Sequence, residues 1–319
     1  MTVKASGEIA ERVSGCLQLA LLLEVSAYPK PGNVHRTADF EGTRYEHFLA
    51  SAVAVAPHFR YAAEQGVLTQ TGKIGLGKVG VGKIIKGAVV DVMAWQQGGN
   101  TVLGSIILLV PMAVAAGFTY AEDAPFNIER LRRNLKAVLE STTPMDAVEV
   151  YDAIMVAQPG GLGKAPELDV TNAASKQKIL EDNVSLYEVF KISAPWDSIS
   201  SEWVSNYHIT FNIGYPYLIR QLKETKDVNM ATVHTFLKIL SEVPDTLIAR
   251  KVGASKAREV SVQAKKVLEA GGLTTPNGTE SLVKLDKRLH DPAHKLNPGT
   301  TADLLSGVWS VVLLCGYRF

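Results

Sequence analysis

The residues best able to do chemistry in this chain lie on a few short, Gly- and Pro-rich stretches. Tyr28-Pro29-Lys30-Pro31-Gly32-Asn33-Val34-His35-Arg36 presents Lys30, Asn33, His35 and Arg36 within seven residues, on a backbone stiffened by two prolines. Donors and a titratable imidazole on a stiff loop suit a phosphate or sugar ligand, although a rigid helix–helix connection with solvated basic residues would have the same pattern. Gly98-Gly99-Asn100-Thr101 precedes the apolar run from Val102 and reads either as a helix N-cap or as the polar mouth of a buried pocket. Val243-Pro244-Asp245-Thr246-Leu247-Ile248-Ala249-Arg250 and Asn297-Pro298-Gly299-Thr300-Thr301-Ala302-Asp303 each place hydroxyl and carboxylate oxygens at a helix start. Such oxygens compensate a helix dipole, and they also suit a hard cation such as Mg2+. Two of these segments beside phosphate-compatible loops suggest a magnesium–nucleotide pocket.

Other patterns carry less. Gly75-Leu76-Gly77-Lys78-Val79-Gly80 matches a dinucleotide fingerprint, and Gly77 to Lys83 matches most of a phosphate loop. Both motifs need a buried strand before them, whereas Leu68-Thr69-Gln70-Thr71 precedes this one, and Ile84 stands where a phosphate loop needs Ser or Thr. A Gly-rich turn entering a helix can still offer N–H groups to an anion. His290-x-x-x-His294 is interrupted by Asp291-Pro292 and has no third and fourth ligand nearby in sequence, so it does not read as a zinc site. No serine sits in a nucleophile elbow.

The elements that must position these loops are helical. Apolar residues recur at helical spacing over 8–27, 45–65, 83–97, 128–141, 144–156, 183–192, 196–224, 230–242, 244–253, 254–270 and 302–316. Clean alternation with period two is nearly absent. The expected fold is all-α, one compact multi-helix domain over residues 1–319 with a buried central helix. That helix is the apolar run 105–118, 14 residues long and containing Pro111. A membrane span needs about 20 residues, so a core helix and a soluble protein are expected.

Composition narrows the partners. The chain has 319 residues, 46% of them hydrophobic, with 33 Lys+Arg against 32 Asp+Glu. A net charge of +1 gives no field for holding nucleic acid, and the apolar content excludes a disordered chain. Cys16 and Cys315, at opposite ends, form neither a disulfide framework nor a metal motif, and a reducing cytoplasm is the simplest compartment. The expected partner is a small nucleotide, with no nucleic acid and no membrane; homo-oligomerisation is left open.

Taken in order, the motifs resemble the triphosphoribosyl-dephospho-CoA synthase family across essentially the whole chain. The resemblance is carried by Glu24, Pro29-Lys30-Pro31-Gly32-Asn33-Val34, Asn100-Thr101-x-x-Gly104, Gly160-Gly161-Leu162-Gly163 leading to Asp169-Val170, Asp245-Thr246 with Arg250 and Gly253, and Pro298-Gly299-Thr300-Thr301-Ala302-Asp303-Leu304-Leu305. It implies an all-helical transferase in which a ribose hydroxyl of dephospho-CoA attacks the anomeric carbon of ATP and adenine leaves. The chain departs from the family where Asn33 and His35 replace the Leu and Asp of its Lys-Pro-Gly-Leu-Val-Asp loop. Val102 and Leu103 likewise replace the His and Lys of its Asn-Thr-His-Lys-Gly segment, and no Gly-Ala-His-x-Asp-Met segment is found. These departures mark a divergent branch and leave the acceptor open.

With the resemblance, the expected substrate-binding residues are Lys30, Asn33, Asn100, Thr101, Gly104, Arg250 and Gly299. His35, Asp245 and Asp303 are the expected catalytic groups, and Asp245, Thr246 and Asp303 the expected Mg2+ ligands. Asp169 is a lesser candidate, and Glu24 is expected to orient the loop. The donor is ATP or a related phosphorylated ribose compound, and the acceptor is coenzyme-like. A Mg2+-dependent hydrolase of a nucleotide or ADP-ribosyl-like bond, and a non-catalytic nucleotide-binding protein, are the competing readings.

Overall fold

The computed structural model describes residues 3–122 and 125–319, with side chains from residue 6 onward. Fifteen α-helices follow one another: α1 (Val3–Ser26), α2 (Tyr45–Gln70), α3 (Val81–Trp95), α4 (Leu103–Ala121), α5 (Ile128–Glu140), α6 (Pro144–Ala157), α7 (Ala173–Glu181), α8 (Leu186–Ser193), α9 (Ser198–Val204), α10 (Tyr215–Thr225), α11 (Val228–Glu242), α12 (Thr246–Val252), α13 (Ala254–Glu269), α14 (Pro276–Leu289) and α15 (Gly299–Leu314). The described residues contain no strand of a sheet; two isolated β-bridges, His35 with Ala38 and Phe40 with Thr43, pin the loop after α1. One core cluster runs from Ala10 to Leu314, so a single domain encloses the whole bundle.

The centre of that core is α4. Every residue from Ser105 to Gly117 is buried, which confirms the apolar run as an interior helix. Leu103–Ala121 is long and apolar enough to cross a membrane, yet most of it is buried inside the protein itself. α2 crosses α4 at very short range through two glycines. A β-carbon on Gly66 would sit 2.0 Å from the Val114 carbonyl oxygen, and one on Gly117 would sit 2.1 Å from that of Ala63. Pro111 lies inside α4 and cannot donate to the Ile107 carbonyl four residues back. The Trp203 indole N–H donates to that carbonyl at 3.2 Å, and the Tyr207 hydroxyl donates to the Leu108 carbonyl at 2.8 Å.

The stretch 196–224, expected as one helix, is broken. α9 ends at Val204, Asn206 and Tyr207 adopt left-handed backbone at φ 54° and 58°, and a π-helical turn, Ile209–Gly214, leads into α10. The cause is Glu202, fully buried, whose carboxylate accepts the N–H groups of Ile209 at 2.7 Å and Thr210 at 2.9 Å. α7 and α14 were not anticipated from periodicity. α14 starts with a Thr275 cap donated to by Gly278 N–H and with Pro276 in the first turn, inside a stretch whose glycines had read as a turn.

Replacing Gly66 or Gly117 by Ala adds helix propensity worth about 1 kcal/mol, but the added carbon meets a carbonyl on the partner helix. The clash should win, and each variant should lose roughly 2–4 kcal/mol in urea unfolding.

Candidate active site

The segments singled out by chemistry converge on one cavity of about 500 Å³. Its floor is polar, built from Glu24 at the end of α1, Asn33, Asn100, Thr101 and Ser105, with Asp303 from the first turns of α15. One side is cationic, with Arg250 and Lys251 on α12 and Lys164 on the loop between α6 and α7. Another is apolar, formed by Tyr151 and Ile154 of α6, Phe190 of α8 and Trp196.

Asp303 is held by the start of α4. Its Oδ1 accepts the Ser105 N–H at 2.8 Å and the Ser105 hydroxyl at 2.6 Å. Its Oδ2 lies over Gly104, where a β-carbon would come within 2.2 Å of it, so glycine is required for the carboxylate to rest there. Removal from water raises the Asp303 carboxyl to about 7, with repulsion from Glu24 adding to the rise and the Ser105 bonds opposing it. Such a group can take or give a proton near neutral pH.

Lys30 is fully buried and does not line the cavity. Its ammonium pairs with the Glu24 carboxylate and donates to the Glu24 carbonyl at 3.0 Å, which ties the proline loop back onto α1. Burial pushes Glu24 upward and Lys30 downward, and their attraction opposes both. Asn33 reaches the floor, and its amide donates to Asn297 Oδ1 at 2.8 Å. His35 is buried behind that wall against Asp286, with its Nε2 3.3 Å from Oδ2.

Asp245 also lies off the cavity lining. It caps α12 by accepting from Leu247 and Ile248 N–H at 2.9 and 3.0 Å. Its other oxygen accepts the N–H and hydroxyl of Thr301 at 2.7 and 2.8 Å, so one carboxylate joins the starts of α12 and α15. Thr246 bridges Ser198 N–H and the Thr300 hydroxyl, both at 3.3 Å. Asp169 turns its own loop, accepting from Thr171 and from Ala165 N–H.

Arg250 enters the cavity wall with Nη1 2.5 Å from Asp197 Oδ2. Lys251, its neighbour, was not singled out by sequence. Gly160 and Gly161 pass over its side chain, Nζ donates to the His294 carbonyl at 2.8 Å, and burial lowers its proton affinity. Consecutive basic residues in a short helix gave no signal that both would line a cavity; the Gly160-Gly161 motif was the indirect one. Gly299 starts α15 against Leu247.

Comparison with known proteins relates this chain to one family. The family model described as ATP:dephospho-CoA triphosphoribosyl transferase matches residues 10–318. The 2-(5''-triphosphoribosyl)-3'-dephosphocoenzyme-A synthase of Klebsiella pneumoniae is 24% identical over 312 residues, covering 94% of this chain and 90% of that protein. Its namesake from Escherichia fergusonii is also 24% identical, over 302 residues with the same coverage. A crystal structure from Archaeoglobus fulgidus, described as a candidate triphosphoribosyl-dephospho-CoA synthase, superposes with a TM-score of 0.61 at 23% identity, covering 85% of this chain and all of that one.

The placement of Asp245 generates a prediction. Asp245→Ala strips a charged acceptor from two helix starts and leaves four donors to find water or go unpaired. Stability should fall by about 2–4 kcal/mol in urea unfolding, with any loss of activity tracking the loss of folded protein.

Proposed function

The chain belongs to the ATP:dephospho-CoA triphosphoribosyl transferase family, and from that premise we propose that it transfers the triphosphoribosyl group of ATP to a ribose hydroxyl of dephospho-CoA or a close relative. The observation that carries the reading is Asp303: a carboxyl raised to about 7 on the floor of the cavity, with one oxygen fixed by Ser105 and the other over Gly104.

In this reading the triphosphate lies along Arg250, Lys251 and Lys164, and Asn100, Thr101 and Asn33 hold ribose hydroxyls. The apolar side formed by Tyr151, Ile154, Phe190 and Trp196 takes the flat base or the pantetheine arm. The acceptor oxygen forms a bond to the anomeric carbon while the bond from that carbon to adenine breaks. Asp303 takes the hydroxyl proton, the bonding pair leaves with adenine, and adenine takes up one proton from water, which Asp303 restores by releasing its own. Positive charge that develops on the sugar is met by the Asp303 carboxylate until it accepts the proton.

Mg2+ bound with the triphosphate would neutralise part of its charge. Asp303 is the carboxylate of the cavity that would hold it, because Asp245 is engaged by four donors and Glu24 by Lys30. A hydrolase reading has less support, because the family model that matches this chain describes a transferase. Two free thiols, Cys16 and Cys315, are in keeping with a cytoplasmic setting.

The direct test is chromatographic: purified protein with ATP and Mg2+ should release adenine only when dephospho-CoA is added. Release at the same rate without an acceptor would favour the hydrolase, and no release with any hydroxyl acceptor would overturn the transferase reading.

Asp303→Asn should reduce turnover by roughly 10²–10⁴-fold. It should also change stability in the opposite sense. A carboxyl raised from 3.8 to about 7 binds its proton more tightly in the folded chain, so its stabilising effect is full below about pH 4 and is lost as pH rises to 7. The Asn variant lacks that loss and should be more stable than the parent by about 2–4 kcal/mol at pH 8, measured by urea unfolding across the pH range.

A further inference from the structure

Behind the Asn33–Phe40 wall of the cavity, His35, Asp286 and His290 bring three ligand atoms within 4.8 Å of one another. His35 comes from the proline loop, and the other two stand one turn apart at the end of α14. Asp286 lies between the imidazoles, with Oδ2 3.3 Å from His35 Nε2 and Oδ1 2.9 Å from His290 Nδ1. The two rings meet edge to face, with centroids 5.7 Å apart. Ligands at about 2.0–2.2 Å around a tetrahedral ion lie roughly 3.4 Å apart, so small side-chain shifts would seat one ion among all three.

We propose that this cluster is a site for a divalent transition-metal ion of the zinc type, distinct from the Mg2+ of the nucleotide cavity. Two imidazoles with one carboxylate form a nitrogen-rich set that favours Zn2+ or Co2+ over Mg2+, which prefers oxygen. Three protein ligands leave a fourth position for water or another oxygen.

The surroundings supply the outer contacts that a metal site needs. The Thr37 hydroxyl lies 3.1 Å from His35 Nδ1, placed to accept from that nitrogen and leave the Nε2 lone pair for the ion. The Thr37 N–H, at 3.3 Å on the same nitrogen, favours the opposite tautomer, so metal and hydrogen-bonded forms compete. Gly32 N–H donates to Asp286 Oδ1 at 3.0 Å. His290 Nδ1 is the nitrogen turned to Asp286, and it would be the ligating atom; Nε2 is buried on the far side of the ring. Lys30, the cation that adds to the field at Asp286, is already paired with Glu24.

The ion would clamp the proline loop onto α14. Phe40, which lines the cavity, packs on His290 at 4.8 Å between centroids, so the clamp would set the shape of that wall. The sequence pairs His290 only with His294, which does not read as a zinc site; the other histidine of this cluster, His35, lies about 250 positions away in the first loop.

The test uses full-length protein stripped with a chelator and titrated with Zn2+ against a chromophoric chelator, and with Co2+ followed by its visible absorption. The parent should bind one equivalent. His290→Gln and His35→Gln should each bind at least about 10-fold more weakly while retaining the parent's helical circular dichroism. If His35→Gln does not fold, His290→Gln carries the comparison. Absence of stoichiometric uptake by the parent, or variants that bind as tightly as it does, would overturn the proposal. These readouts are independent of nucleotide turnover, so they stand or fall separately from the transferase reading.

Discussion

A helix with no solvent face must have every backbone group satisfied by its own ladder or by its neighbours, and that constraint on α4 organises this molecule. Pro111 breaks the ladder at the middle of the core, and the exposed Ile107 carbonyl is met by Trp203. To bring Trp203 and Tyr207 to α4, the chain after α9 must turn sharply, and Glu202 holds that turn by gathering two N–H groups. The same docking sets α9, and with it Asp197, which orients Arg250 at the cavity. Further along the helix Gly66 and Gly117 let α2 reach van der Waals contact with α4. With its middle held by these contacts, α4 can present Gly104 and Ser105 at its N-terminal end as a fixed seat for Asp303.

The helices that were legible in the sequence are those with a continuous apolar face. α1, α3, α5, α6, α11, α13 and α15 show it, and their observed bounds fall within a few residues of the expected ones. The failures have specific causes. The break within 196–224 arises from a side chain, Glu202, that competes for backbone donors while the apolar spacing continues unchanged. α14 buries only Leu282, Leu285 and Leu289 as large apolar residues and begins among glycines, so its face is narrow and its start resembles a turn.

The candidate site was legible in its segments more than in its roles. Asn33, Asn100, Thr101, Gly104, Arg250, Gly299 and Asp303 all line one cavity. Lys30, His35, Asp245 and Thr246, from the same segments, do not. The difference lies in what each polar group meets on folding. Asp245 and Asp303 both stand near helix starts, but Asp245 finds four donors around it, whereas Asp303 finds two on one oxygen. A sequence gives the type and order of charges; it does not give the number of N–H groups that fold against each carboxylate. Lys251 illustrates the converse, since its place on the wall depends on the Gly160-Gly161 backbone lying across it.

The electrostatics of the floor follow from the same geometry. Lys30 lies among three carboxylates: Glu24 in contact, and Asp303 and Asp286 at longer range. For Asp303, loss of water is the largest influence, the fixed charges of Glu24 and Asp245 raise its proton affinity further, and the Ser105 bonds oppose the rise. The near-balance of 33 basic against 32 acidic residues thus conceals a buried ion pair, Lys30 with Glu24, beside a carboxylate whose proton affinity burial raises.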